Sequence, residues 1–256
     1  MAAADMPGVR ARPWPRTWRR PWPQRPRRPP RYARPVEVTQ IERGLWRWTA
    51  RHPGWTPADG GPDGWESTVG CLYWEAEDAV VLIDPLVPQD AGDRDRFLGA
   101  LDSDVERLAL PVEIMLTCAW HSRSADELAE RYRATVRVPD FAAPRVARAV
   151  AFRPDEPLPG RVVAVTALPA SEEVVYWLPA PRAVVPGDTV LGAEGGGVRL
   201  CPASWLSESM TRADLAAALR PLFDLPVERI LVSHGTPILA GGGAALARAF
   251  AEATVA

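Results

Sequence analysis

The chain has 256 residues, 47% of them apolar, which is enough for one sizeable core. Its formal net charge of −2 hides an asymmetry: residues 1–35 carry ten arginines against one acid, Asp5, and the remainder carries twenty arginines against thirty-one acids. The body is therefore mildly acidic and gives no electrostatic reason for a nucleic-acid ligand, and no apolar run approaches the roughly 20 residues of a bilayer span.

Residues 1–35 hold nine prolines and three tryptophans (Trp14, Trp18, Trp22). Proline at this density forbids helix and sheet ladders, so the segment is expected to be a disordered or polyproline-like tail. Interleaved Arg and Trp also suit RNA, DNA phosphates or an anionic membrane surface. The reading adopted is a solvated tail or an over-extended gene start, with one globular domain over residues 36–256.

Residues 36–49 (VEVTQIERGLWRWT) alternate well enough for one or two strands around an Arg43-Gly44 turn. A loop rich in Pro, Gly and Trp follows over residues 50–66. Next come strands Thr68–Trp74 and Ala79–Ile83, a helix near Asp93–Leu101 and a strand over Val112–Leu116. Ser124–Arg133 reads as a helix with Ser124 and Glu127 as a capping box. The pattern then predicts strand Val136–Val138, helix Ala142–Val150 and strands Arg161–Ala167, Val174–Leu178 and Ala183–Val185. Thr211–Leu222 reads as an amphipathic helix capped by Thr211, Ile230–Val232 as a strand, and about Ala244–Ala253 as a final helix. Strands first, then helices and strands alternating, twice over, fit two mixed sheets packed face to face with helices outside.

The three cysteines, Cys71, Cys118 and Cys201, are widely spaced, odd in number and form no C-x-x-C pair. That argues for reduced thiols in a cytoplasm, against a disulfide framework and against a thiolate zinc site.

Four short signatures stand at strand ends, in order: Ile83-Asp84-Pro85, Leu116-Thr117 with His121 just beyond, Gly187-Asp188-Thr189, and Ser233-His234-Gly235. Each alone is weak, but together they resemble the metallo-β-lactamase superfamily, over roughly Val36 to the C-terminus. The resemblance implies an α/β (α+β) fold, the four-layer αββα sandwich. It also implies a catalytic metal pair between the sheets, bound by H-x-H-x-D-H, a further downstream His, a bridging Asp and a late His. Two metals about 3.5–4 Å apart generate a hydroxide and polarise a carbonyl or phosphoryl group. Asp84 is implied to brace the metal loop.

This chain departs heavily from that pattern. Aligning His121 with the second family His puts Ala119 at the first, Arg123 at the Asp and Ser124 at the last; residues 167–171 carry no imidazole. With three histidines in the whole chain, no register shift restores the set. His121, Asp188 and His234 survive as ligand types. Arg123 puts a permanent cation where the family holds a metal-binding carboxylate, which repels a second ion.

Three readings of this trio stay open. They form a single site for one zinc, iron or manganese ion; or no metal binds and Arg123 fills its volume, paired with Asp188; or they only tie loop ends together. Cys118 beside His121 reads as a small buried apolar residue before it reads as a nucleophile. His52 and Trp55, in the long loop, are candidate substrate contacts, with Trp65 as a second wall and Trp205 at the mouth. The functional expectation is a hydrolase-like protein with at most one metal ion, acting on an ester, thioester, amide or phosphoester. Asp188 would anchor the ion and Arg123 would stabilise the developing anion. The alternative is a metal-free, non-catalytic binding or regulatory protein. Either way the expected partner is a small molecule, with no nucleic acid and no membrane for the folded domain.

Overall fold

The computed structural model describes residues 36–61 and 63–255. The tail expected over residues 1–35 lies outside them. Strands β1 (Glu37–Glu42), β2 (Leu45–Arg51), β3 (Thr68–Glu75) and β4 (Val80–Ile83) form an antiparallel meander. β5 (Val112–Met115), β6 (Thr135–Pro139) and β7 (Val150–Phe152) continue the sheet parallel to β4, giving seven strands in sequential order. A second sheet begins with β8 (Val163–Leu168), β9 (Glu173–Leu178) and β10 (Ala183–Val185). The hairpin β11 (Val190–Gly192) and β12 (Val198–Leu200) follows, and β13 (Arg229–Ile230) returns to lie parallel beside β10, giving the order β13-β10-β9-β8.

The alternation of side chains along each strand builds the layers. On β4, Val80 and Leu82 pack with Leu98 and Leu101 of α1 (Ala91–Leu108) and Leu128 of α2 (Ala125–Tyr132). Val81 and Ile83 point the other way, into a middle layer shared with Val174, Tyr176 and Leu178 of β9. The opposite face of β9, Val175 and Trp177, packs with Leu215 of α3 (Arg212–Ala218) and Leu246 and Phe250 of α4 (Gly242–Val255). Helix, sheet, sheet, helix is the expected four-layer sandwich. No helix among the described residues is long and apolar enough to cross a membrane.

Three local expectations are corrected and one hairpin is added. Ala142–Val150 is not a helix: Ala143–Arg145 makes one 3-10 turn, and Val150–Phe152 becomes the edge strand β7. Pairing with β6 and burial of Phe152 in the middle layer outweigh the helix propensity of the alanines. Ser124 does not close a capping box, because its hydroxyl accepts the Val87 N–H instead (2.9 Å) and Glu127 pairs with Arg94. The helix expected over Thr211–Leu222 keeps its Thr211–Asp214 capping box but ends at Ala218, where Pro221 forces a 3-10 continuation. The β11–β12 hairpin was not anticipated; its short strands turn through Gly195–Gly197, all three with positive φ.

β4, β5, β10 and β13 all deliver their carboxyl ends to one edge of the sandwich, the place where open α/β sheets leave a crevice. The four strand-end signatures therefore converge there.

Candidate metal centre

The first signature is a brace. Asp84 turns the chain out of β4 with φ of 49°, a conformation that Asp and Asn tolerate better than most residues. Its Oδ1 accepts the Thr117 N–H (2.8 Å) and its Oδ2 accepts the Thr117 hydroxyl (2.6 Å). The same Oδ2 stands 2.9 Å from His121 Nδ1. A carboxylate only accepts, so Nδ1 carries the proton and the Nε2 edge of His121 is left to face the cavity.

Asp188 meets that edge. Its Oδ1 lies 3.3 Å from His121 Nε2 and 3.2 Å from His234 Nε2. Neither contact has hydrogen-bond geometry, and this buried oxygen has no hydrogen-bond partner. Its Oδ2 accepts the Trp120 indole N–H at 2.9 Å. The Asp188 backbone N–H donates to Glu173 Oε1 (2.7 Å), an approach that a side chain at Gly187 would block, since a Cβ there would sit 2.7 Å from the same oxygen. The His234 loop is held from β2 and β3: Gly70 N–H donates to Ser233 O (2.7 Å), and Arg47 Nη2 lies 3.3 Å from both Val232 O and Gly235 O.

Electrostatics divide the cluster. Burial and Arg123 oppose protonation of His121, but Cys118, Asp188 and Asp84 outweigh them and hold its pKa well above the ordinary imidazole value. Burial holds His234 below that value despite the Asp188 carboxylate. Burial alone would raise Asp188, yet the two imidazoles hold it well below the usual carboxylate range. Burial and the Asp188 charge push Glu173 well above its usual range. Burial pushes the Cys118 thiol up to about 12, against the pull of His121. All three cysteines are free and buried.

The trio opens on a cavity of about 690 Å³ walled by Trp65, Trp120, Trp205 and Leu206, with His52, Arg123 and Arg145 as its basic groups. The rings of Trp65 and Trp205 stand edge-on to His234, with centroids at 5.2 and 6.0 Å. Of the residues singled out from sequence, His121, Asp188, His234, Arg123 and His52 reach the cavity; Trp55 does not. Its indole N–H donates to Trp65 O (2.9 Å), so Trp55 braces the wall that Trp65 forms. Arg123 does not pair with Asp188: its Nη1 donates to Asp84 O at 3.0 Å. The expected pairing fails because Trp120 and the two histidines already surround the Asp188 carboxylate. Sequence reasoning missed Trp120, Arg145 and Glu173. Trp120 lay inside the quoted metal loop, and Glu173 one residue ahead of the predicted strand, where an acid before an apolar run is a usable signal.

His52 accepts the Gly54 N–H through Nδ1 (3.3 Å), and burial, then Arg123, His121 and His234, lower its pKa to about 4. An NMR titration should therefore find His52 neutral down to about pH 4, against about 6.5 in the unfolded chain. Because the folded pKa is depressed, acidification between those values protonates only the unfolded state and lowers stability. A midpoint near 6.5 would mean that His52 stands outside the cavity.

No protein-family model and no curated protein matches the chain. Solved structures do. The DIM-1 metallo-β-lactamase superposes with a TM-score of 0.61 at 11% identity, over 87% of this chain and 98% of that one. The mono-zinc form of FIM-1 from Pseudomonas aeruginosa gives 0.58 at 15%, over 87% and 97%. A metallo-β-lactamase from Erythrobacter litoralis gives 0.57 at 16%, over 86% and 93%. The chain thus has the metallo-β-lactamase fold.

Proposed function

We propose that this protein is a metal-dependent hydrolase working with one ion held by His121, Asp188 and His234. The observation that carries this reading is Asp188 Oδ1, buried without a hydrogen bond and faced by two imidazole nitrogens at 3.2 and 3.3 Å. Three electron-rich atoms repel one another unless a cation sits among them. Zinc–donor bonds of about 2.0–2.1 Å at tetrahedral angles set neighbouring donors about 3.3 Å apart, which matches. The ligand atoms of all three residues lie within 4.8 Å of one another. Two imidazoles and a carboxylate suit zinc, iron or manganese. Ala119, Arg123, Ser124 and Ser171 provide no donors of the family's kinds for a second ion.

When bound, the ion supplies a Lewis acid and an activated water for an ester, thioester, amide or phosphoester. Asp84 keeps the His121 proton on Nδ1 and so leaves Nε2 free as a donor atom. Trp65, Trp120 and Trp205 keep bulk water from one side of the cavity, and Arg123 brings a positive charge to its border. The fold itself selects no substrate, and a β-lactam is not implied.

One observation favours the second reading, a metal-free binding or regulatory protein for an anionic small molecule. His121 stands between two carboxylates, Nδ1 2.9 Å from Asp84 Oδ2 and Nε2 3.3 Å from Asp188 Oδ1, so a proton on Nε2 can also serve as the cation beside Asp188. Elemental analysis of purified protein decides between them. About one equivalent of zinc, iron or manganese is expected in the wild type, falling at least tenfold in occupancy in His121→Ala and Asp188→Ala. Wild-type protein that stays metal-free after incubation with each ion would remove the hydrolytic reading.

A further inference from the structure

We propose that Arg123 anchors a permanent anionic group of the ligand, a carboxylate or a phosphate, whose apolar remainder lies against the tryptophan wall. This rests on the functional reading above only in taking the cavity as the ligand site; it requires neither bound metal nor turnover.

Arg123 lines the cavity with its charge unmatched. By contrast, the half-buried Arg137 pairs with Glu113 at 2.7 Å and Arg229 with Glu42 at 2.9 Å, and the exposed Arg145, on the same cavity, pairs with Glu172 at 3.1 Å. Arg123 has no carboxylate partner among the described residues. Its guanidinium hydrogen-bonds only neutral acceptors, both through Nη1: the Asp84 carbonyl at 3.0 Å and Cys71 Sγ at 3.9 Å. Its Nε is shielded from solvent and bonded to nothing. Withdrawing a guanidinium from water without a counter-charge is costly unless an anion completes it.

The backbone supports the same conclusion. Arg123 sits at φ 33° and ψ −103°, outside the regions that residues with side chains ordinarily occupy. The neighbouring chain pins it there: Ser124 N–H donates to Pro85 O (3.1 Å), and the Ser124 hydroxyl accepts from Val87 (2.9 Å). A strained residue held in place by its surroundings is a mark of a working position. From there it lines the same cavity as His52, His121 and His234.

The negative groups nearby do not neutralise it. Asp188 faces two imidazoles, and Glu173 Oε1 accepts the Asp188 N–H. A planar fork of donors suits the two oxygens of a carboxylate or phosphate, and aromatic walls take up an apolar ring. The ligand chemistry is therefore amphiphilic: one anion and a flat or apolar body.

Calorimetric titration of the metal-free and zinc-incubated protein tests this with benzoate, phenyl phosphate and the neutral benzamide. Benzoate, phenyl phosphate or both should bind the wild type and weaken roughly 10- to 100-fold in Arg123→Gln, the range expected of a charge-assisted pair. Arg123→Lys should fall between, keeping the charge without the fork, and Arg153→Gln, at an exposed arginine outside the cavity lining, should bind like the wild type. Benzamide should not respond to Arg123→Gln. Whichever anion binds more tightly names the carboxylate or the phosphate as the native group. Anion binding equal in wild type and Arg123→Gln, or absent from the wild type, overturns the proposal. If Arg123→Gln does not fold, the Arg123→Lys ratio decides alone. Anion binding that depends on Arg123 in a protein that never takes up metal would retain this site while removing the hydrolase; metal uptake without anion binding would do the reverse.

Discussion

Replacing Asp84 by Asn should leave the protein folded and lower its metal affinity roughly 10- to 100-fold, the range found when an outer partner of a ligating imidazole is lost. Asn keeps the φ of 49° at little penalty and can still accept the Thr117 N–H through its oxygen. Its NH2 then occupies the place of Oδ2 and points donors at the Thr117 hydroxyl and at His121 Nδ1. The hydroxyl can rotate to accept. The imidazole can only accept by moving its proton to Nε2, the atom needed for the ion. Nitrogen-15 NMR of the metal-free protein would show the tautomer change, and competitive chelation the lost affinity. Unchanged affinity would mean that Asp84 does not set the tautomer. Asp84→Ala removes both acceptors and orphans a buried N–H, so it should also destabilise the fold by about 3 kcal/mol.

The second large effect is expected at Gly70, which offers no ligand atom of its own. A Cβ there would lie 2.5 Å from Arg47 Nη2 and 2.7 Å from Val232 O. The arginine tip can swing aside, but the carbonyl is backbone, so β3 and the His234 loop must separate. Separation breaks the Gly70–Ser233 hydrogen bond and loosens both Arg47 contacts. Gly70→Ala should therefore lose about 3 kcal/mol, seen as a melting temperature lowered by roughly 6–12 °C. A melting temperature within a degree or two of wild type would show that the strand and loop have slack the geometry does not display.

Much of this architecture was legible because it rests on local pattern. The β1–β2 hairpin alternates well enough around its Gly44 turn, and the continuous apolar runs of β4 and β9 fit strands covered on both faces. The strand-end signatures mark Asp84, His121, Asp188 and His234 in the sequence itself. What was not legible depends on distant partners. The edge strand β7 looks helical in isolation, and only its pairing with β6 settles the matter. Ser124 has the spacing of a cap, yet Val87, thirty-seven positions away, claims its hydroxyl. The Arg123–Asp188 pairing was chemically sensible, but no sequence pattern could reveal that Trp120 already holds one Asp188 oxygen. Trp55 and Trp65 were equal candidates for the wall until the Trp55 indole was seen to serve as a strut for the other.

The provenance of the three candidate ligands has a mechanical meaning. His121 follows the seven-stranded sheet, whereas Asp188 and His234 follow strands of the four-stranded one. Anything that bridges them rivets the two halves of the sandwich together at its open edge, so filling the site and holding the halves together are one equilibrium. Mutations that loosen the seam between the sheets would therefore register as weaker occupancy without touching a ligand, and an occupant would shield such mutations from their effect on folding.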